Sequence, residues 1–283
     1  MEIKNKILII GFGKLGQKFA SLSASAFDVH AIKRNPLKNP PIGVQVHYQN
    51  IFSDEFFSLV KNIDPHYVIY SVAADDANED SYQKAYVDGV DRALQALTHC
   101  RNVKHFIFIS STRVYGQEVE KILTEEDIAQ PADANAQRLL RGEALVGEGV
   151  IPSSIIRLSG IYGGDRNYLI RLAKDPDLWP KENRWTNRIH EDDVAKFSQE
   201  LIQKIDQNQG VDNLILLTDN HSTPLFEVLN WIRAELGLKA IDLPVGPIKG
   251  KRLNSLSVQK NLYQLIFPSY REGYGKMLSD LNQ

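Results

Sequence analysis

A chain of 283 residues with 33 basic and 35 acidic side chains has a formal charge of -2, which gives no electrostatic footing for nucleic acid or an anionic membrane. It is long enough to bury one large α/β core or two lobes. Its single cysteine, Cys100, excludes an internal disulfide and a cysteine metal cluster. No apolar run exceeds strand length, and the first strand begins a few residues from the N-terminus. These features predict a cytoplasmic protein without a signal peptide, membrane span or metal site.

In chain order, Ile7 to Ile10 is a β-branched apolar run, the pattern of a strand buried on both faces of a parallel sheet. Gly11, Gly13 and Gly16 follow in G-x-G-x-x-G spacing and open a helix at Lys14 and Leu15. In a dinucleotide-binding turn the first glycine permits the bend and the second lets backbone approach a pyrophosphate. The third lets helix and strand pack closely, and the diphosphate rests on the free amides of the helix start. Residues 28 to 34 read as the second strand. An acidic residue at its end would bond a ribose 2′-hydroxyl, whereas Lys33 and Arg34 suit a 2′-phosphate, so NADP is favoured over NAD. Residues 44 to 48 form a third strand followed by Asn50, and residues 54 to 61 a helix. Residues 67 to 73 form a fourth strand whose small end, Ala73, lets a cofactor lie close.

A long helix is expected over residues 81 to 98, a fifth strand over 105 to 109 and a sixth over 154 to 158. Another helix is expected over 194 to 204, a buried strand over 213 to 218, and an amphipathic helix over 225 to 236. Strands alternating with helices make an α/β fold with a Rossmann-type doubly wound parallel sheet, whose ligands bind beyond the carboxyl ends of the strands. Ser111 and Tyr115 fall on that side. Glu191, Asp192 and Asp193 are consecutive, so they splay around a helix start, where they would cap it and complement its dipole rather than hold a metal. Pro244 to Gly250 is the most linker-like stretch.

Four motifs, GFGKLG at Gly11, FISSTRVYG at Phe108, IIRLSGIYG at Ile155 and NRIHEDDVA at Asn187, resemble the extended and atypical short-chain dehydrogenase/reductases of the NAD-dependent epimerase/dehydratase type. The resemblance covers nearly the whole chain. It implies a Rossmann domain of residues 1–164 plus 187–221 and a smaller substrate lobe of residues 165–186 plus 222–283. It also implies a nucleotide-sugar or small carbonyl substrate and a monomer or homodimer. Within the basic stretch 165–188, Arg166 and Arg188 become candidates for a substrate's acidic groups, with His190 beside them; the alternative is an ordinary solvated surface.

The family's serine is matched by Ser111, four residues before Tyr115, and these two are the candidate catalytic residues. Its Tyr-x-x-x-Lys pair is not matched. Asn135 and Leu139 hold those places, and neither an asparagine nor a leucine can move a proton as that pair does. Three readings stay open: an enzyme with its acid/base group elsewhere, Tyr115, Tyr162 or His190 being candidates; a catalytically silent NADP(H)-binding redox sensor; or a relic that binds nothing.

Overall fold

The computed structural model describes residues 4–242, 246–260 and 263–281. It divides into two compact units. Unit 1 comprises residues 1–114, 131–157 and 195–215; unit 2 comprises residues 115–130, 158–194 and 216–283.

Unit 1 is built on a seven-stranded sheet. Its strands are β1 (Lys6–Ile10), β2 (Asp28–Lys33), β3 (Val44–Tyr48), β4 (Tyr67–Tyr70), β5 (His105–Ser111), β6 (Ser153–Leu158) and β7 (Leu214–Leu217), in the order β3-β2-β1-β4-β5-β6-β7. The pairs among β1 to β5 are all parallel. The chain steps outward from β1 to β3 and then returns to β1's other side, which puts the switch of direction between β1 and β4. That is where an open α/β sheet leaves a crevice for ligands.

Ile7 to Ile10 are fully buried, as a strand covered on both faces must be. The covering helices are α1 (Lys14–Ser23), α2 (Glu55–Ile63), α3 (Glu79–Tyr82), α4 (Gly89–Leu97) and α5 (Ala134–Gly147). Phe56, Val60, Val90, Ala93 and Leu97 join Leu8, Val68, Phe106 and Phe108 in one apolar core. Cys100 is a packing residue there. Burial raises its thiol to a pKa of about 11, so it stays protonated.

The helix expected over residues 81 to 98 forms, running without a gap from Glu79 to Leu97, but it is not α-helical throughout. Between α3 and α4 the residues Gln83–Asp88 form a π-helical stretch. The cause is Tyr70, whose buried hydroxyl donates to the Ala85 carbonyl at 2.6 Å, taking an acceptor from the helix's own ladder. Gly89 sits over the same phenol, since a Cβ there would lie 2.2 Å from its oxygen.

On the same sheet the imidazole of His105 is buried beside the Ser154 hydroxyl at 3.0 Å, and burial lowers its pKa from 6.5 to about 4. The folded protein therefore holds it neutral where the unfolded chain takes a proton. Its contribution is complete above pH 6.5 and is lost as pH falls toward 4, by roughly 3 kcal/mol at most. Denaturant titrations at pH 7.5 and 4.5 should show a loss for the unmodified protein that exceeds the loss for His105→Gln. Equal losses would remove His105 as the cause.

Unit 2 contains short strand pairs, Gly160–Tyr162 with Arg188–His190 among them, and the helices α6 (Tyr168–Lys174), α7 (Glu191–Asp206, whose later turns belong to unit 1), α8 (Leu225–Glu235), α9 (Leu256–Gln259) and α10 (Tyr270–Leu281). Its core joins Ile170, Phe226, Leu229, Tyr270 and Met277. The acidic run stands at the start of α7, as its sequence suggests, but two of its three acids are buried against distant partners. Asp193 is fully buried, and its carboxylate accepts from the amides of Ile266 (2.6 Å) and Phe267 (3.1 Å). Glu191 is buried too and pairs with Arg166. These acids tie segments together because their partners come from distant sequence, which adjacent spacing does not reveal. Pro244, where the linker-like stretch begins, lies outside the described residues; Lys249 within that stretch receives the Trp185 amide at 2.8 Å. Among the described residues no helix is long and apolar enough to cross a membrane.

Candidate functional site

At the carboxyl ends of β1, β2 and β4, unit 1 carries an open cavity of about 380 Å³. Gly11, Gly13, Lys33, Arg34, Asn50 and Ala73 all line it, so residues spread over more than sixty positions meet in one place. The glycines do different work. Gly11 has φ +94°, and a Cβ there would stand 2.5 Å from the backbone of Ser71 and Val72. It is needed for the fold itself. Gly13 has nothing within 4 Å of where its Cβ would be, so its emptiness faces the cavity. Gly16 packs α1 against Ile9, Phe12 and the Gly11 carbonyl. Lys14 and Leu15 open α1 with no side-chain cap and no acid in the first turn, which leaves the helix start open to an anion.

The cavity's basic wall is already partly engaged. Lys33 donates to the Phe12 carbonyl at 3.2 Å, and Arg34 forms a two-pronged pair with Asp75 at 2.8 and 2.5 Å. Both partners of that pair are more than half exposed. Asp75 was not singled out by sequence, because no spacing rule links it to residue 34. Asn50 lines the cavity while its carboxamide oxygen accepts from the Phe52 amide at 3.0 Å.

At the end of β5, Ser111 lies half-buried and its hydroxyl oxygen accepts the Arg113 amide at 3.2 Å. The guanidinium of Arg113 stacks on Tyr82 at 5.3 Å and pairs with Asp133 at 3.1 Å. On α5, Asn135 and Leu139 are both buried. The Asn135 amide donates to the Ala77 carbonyl at 3.0 Å, so it ties down the loop after β4, while its oxygen has no partner among the described residues. One turn further, Glu143 forms a buried ion pair with Arg157 at 2.6 Å and accepts the Ser110 hydroxyl at 2.6 Å. This face of α5 is a structural seam.

In unit 2, Tyr115 is fully buried and its hydroxyl donates to the Thr124 carbonyl at 3.0 Å, the arrangement of a structural post rather than an accessible acid or base. Tyr162 is likewise buried and donates to the Ser269 carbonyl at 3.3 Å, and burial holds its phenol protonated. His190 is enclosed between Tyr162 and Phe267, with its Nδ1 accepting the Asp192 amide at 3.2 Å. It is not among the residues that line the arginine-bounded space of this unit. Arg166 and Arg188 are, bounding this space of about 560 Å³ together with Arg171, Arg184, Tyr162 and Tyr274. Of the two, Arg166 is committed to Glu191, whereas Arg188, only 3% exposed, has no partner for Nη1 among the described residues. Sequence reasoning did not single out Asp219, which is buried beside Arg188. Burial raises its pKa to about 6, against the lowering effect of the Arg188 charge.

Residues 5–260 match the model of the RmlD substrate binding domain. The chain belongs to that family. The RmlD-type chain is thereby a member of the extended short-chain dehydrogenase/reductase superfamily. Across its full length it is 34% identical to a protein of Methylobacillus flagellatus named for the NAD-dependent epimerase/dehydratase group, whose chain is also wholly covered, with a TM-score of 0.88. Two more distant structures share its fold. The Bordetella bronchiseptica enzyme WbmG, in complex with NAD and UDP, is 15% identical over 96% of this chain and 92% of its own, at a TM-score of 0.79. A UDP-N-acetylglucosamine 4-epimerase of Methanobrevibacter ruminantium, in complex with UDP-N-acetylmuramic acid, is 17% identical over 99% and 100%, at 0.76. No curated protein sequence matches the RmlD-type chain.

Proposed function

We propose that this chain is an NAD(P)-dependent epimerase/dehydratase- or reductase-like enzyme acting on a nucleotide sugar or small carbonyl compound, with an active site that lacks the Tyr-x-x-x-Lys pair. The observation that carries the reading is the unit 1 cavity, where an uncapped helix start, an open Gly13 and the basic end of β2 line up as a dinucleotide's pyrophosphate and ribose require. The substrate class is supported by similarly folded proteins bound to NAD with UDP or a UDP-linked ligand, and by the arginine-lined cavity of unit 2. Ser111 would hydrogen-bond the reacting oxygen. Tyr115 could contribute only by giving up Thr124.

The cofactor is NADP in this reading. Arg34 must leave Asp75 to reach a 2′-phosphate, but an exposed pair is worth about 0–1 kcal/mol, whereas a charge-assisted bond to phosphate contributes roughly 1.5–3 kcal/mol. The exchange favours phosphate. Arg34→Asp should weaken NADP binding about ten- to a hundredfold and NAD binding far less. Equal affinity of the unmodified protein for both cofactors would refute the preference.

A silent sensor is the second reading, favoured by Asn135 being tied to Ala77 where a tyrosine would act. The two separate in one experiment, which follows NADPH absorbance with nucleotide sugars, aldehydes and ketones. Turnover that falls in Ser111→Ala supports the enzyme. NADPH that is bound but never oxidised, with turnover gained in Asn135→Tyr/Leu139→Lys, supports the sensor.

A further inference from the structure

The three groups expected from sequence as proton carriers are engaged elsewhere: Tyr115 donates to the Thr124 carbonyl, Tyr162 donates to the Ser269 carbonyl, and His190 is enclosed by Tyr162 and Phe267. Unit 1 holds two hydroxyls that are not. Both meet Arg113, and both meet it as acceptors. The Ser111 oxygen accepts the Arg113 amide at 3.2 Å, and the Tyr82 oxygen accepts Nη1 of its guanidinium at 3.3 Å. Amide and guanidinium only donate, so neither contact uses the hydroxyl's own hydrogen. Among the described residues neither hydrogen has an acceptor, and both side chains are only half-buried, so a ligand can reach them.

The fold fixes this arrangement from two sides. Arg113 lies over the Tyr82 ring at 5.3 Å and pairs through Nη2 with Asp133, whose other oxygen caps α5 by accepting the Ala136 amide at 2.9 Å. The segment that carries Tyr82 is tied to the same helix, since Asn135 donates to the Ala77 carbonyl at 3.0 Å and Arg138 to Glu79 at 2.8 Å. One turn of that segment faces the unit 1 cavity, which Ser81, Lys84 and Ala85 line. Tyr86, its ring centroid 5.1 Å from that of Tyr82, hydrogen-bonds the backbone of Ala74, another lining residue. Tyr82 thus stands on the helix that walls the cavity, and Ser111 at the carboxyl end of β5, the strand next to β4.

We propose that Tyr82 is the general acid/base of this protein, giving its hydroxyl proton to the reacting oxygen alongside Ser111, with Arg113 as the positioning residue. The proposal rests on the enzyme reading above. In the reducing direction the carbonyl carbon accepts a hydride from the reduced nicotinamide, the C=O π bond breaks, and the oxygen takes the Tyr82 proton. The carbonyl is reduced, the nicotinamide is oxidised, and the phenolate regains its proton from solvent. Ser111 holds the same oxygen through its own hydrogen. Arg113 keeps a cation on the phenolate oxygen, which stabilises the charge left there.

Steady-state kinetics with NADPH and 4-nitrobenzaldehyde, cyclohexanone or a UDP-linked 4-keto sugar test this, together with nitration by tetranitromethane followed peptide by peptide. Tyr82→Phe should lower kcat by about 10²–10⁴-fold while KM, NADPH affinity and melting temperature stay close to those of the unmodified protein. Arg113→Lys, which keeps a cation, should retain more of kcat than Arg113→Met, which keeps only the apolar stem. Bound NADPH should slow nitration of Tyr82 and leave that of Tyr168, 62% exposed in unit 2, unchanged. Turnover that survives Tyr82→Phe, equal losses in the two Arg113 variants, or nitration of Tyr82 that NADPH does not slow would each overturn the proposal and leave the enzyme reading standing. No turnover with any probe would overturn both.

Discussion

Gly13→Val is expected to leave the protein folded and to weaken dinucleotide binding by more than about a hundredfold, equivalent to roughly 2.7 kcal/mol. Gly13 has φ -80° and ψ -168°, an extended conformation that valine adopts readily, and no atom lies within 4 Å of the added Cβ. The branched side chain would fill only the space that a pyrophosphate must enter. Gly11→Ala should do the reverse. Its φ of +94° is strained for any L side chain, and the new methyl would meet the Ser71–Val72 peptide at 2.5 Å, which cannot move without parting β1 from β4. A cost on the order of 3–5 kcal/mol should lower the melting midpoint by on the order of 10 °C. Calorimetry with NADPH and thermal melts of both variants are the check. Unchanged cofactor affinity in a folded Gly13→Val protein would show that the turn is not the cofactor site.

Removing one member of the Glu143–Arg157 pair should destabilise the protein by about 3–5 kcal/mol, because the remaining charge stays buried after losing its counter-charge. Both side chains are about 5% exposed, and Glu143 receives Arg157 Nη2 at 2.6 Å and Nε at 3.1 Å to each oxygen. Arg157→Met leaves Glu143 with the Ser110 hydroxyl, and Glu143→Met leaves a guanidinium inside the sheet. The double variant Glu143→Met/Arg157→Met should recover most of either loss, since two apolar side chains of similar size need no counter-charge. Denaturant unfolding of the four proteins gives the cycle. Losses in the single variants that simply add in the double variant would mean that the two charges do not depend on each other. The pair also bears on function, because Ser110 precedes Ser111 at the end of β5 and Glu143 anchors that strand end to α5.

What could be read from sequence was what local periodicity encodes. The buried run Ile7 to Ile10, the glycine spacing behind it and the alternation of apolar strands with amphipathic helices sufficed for the parallel sheet and for the turn at Gly11, Gly13 and Gly16. That Asn135 and Leu139 share one face of α5 was equally visible, since i and i+4 spacing on one helix is a local property. Partnerships across the chain were not. Spacing gave no sign that Tyr70 would take the Ala85 carbonyl and turn part of a helix into a π segment, that Asp75 would hold Arg34, or that Asp193 would be buried against Ile266 and Phe267. The same limit separated the candidate residues of unit 2. Arg166, Arg188 and His190 lie close in sequence, yet only tertiary packing decides that the first is paired with Glu191, the third is enclosed by Tyr162 and Phe267, and the second keeps a donor without a partner among the described residues. A side chain's charge is written in the sequence, but whether that charge is already neutralised depends on which distant group the fold brings within hydrogen-bonding reach.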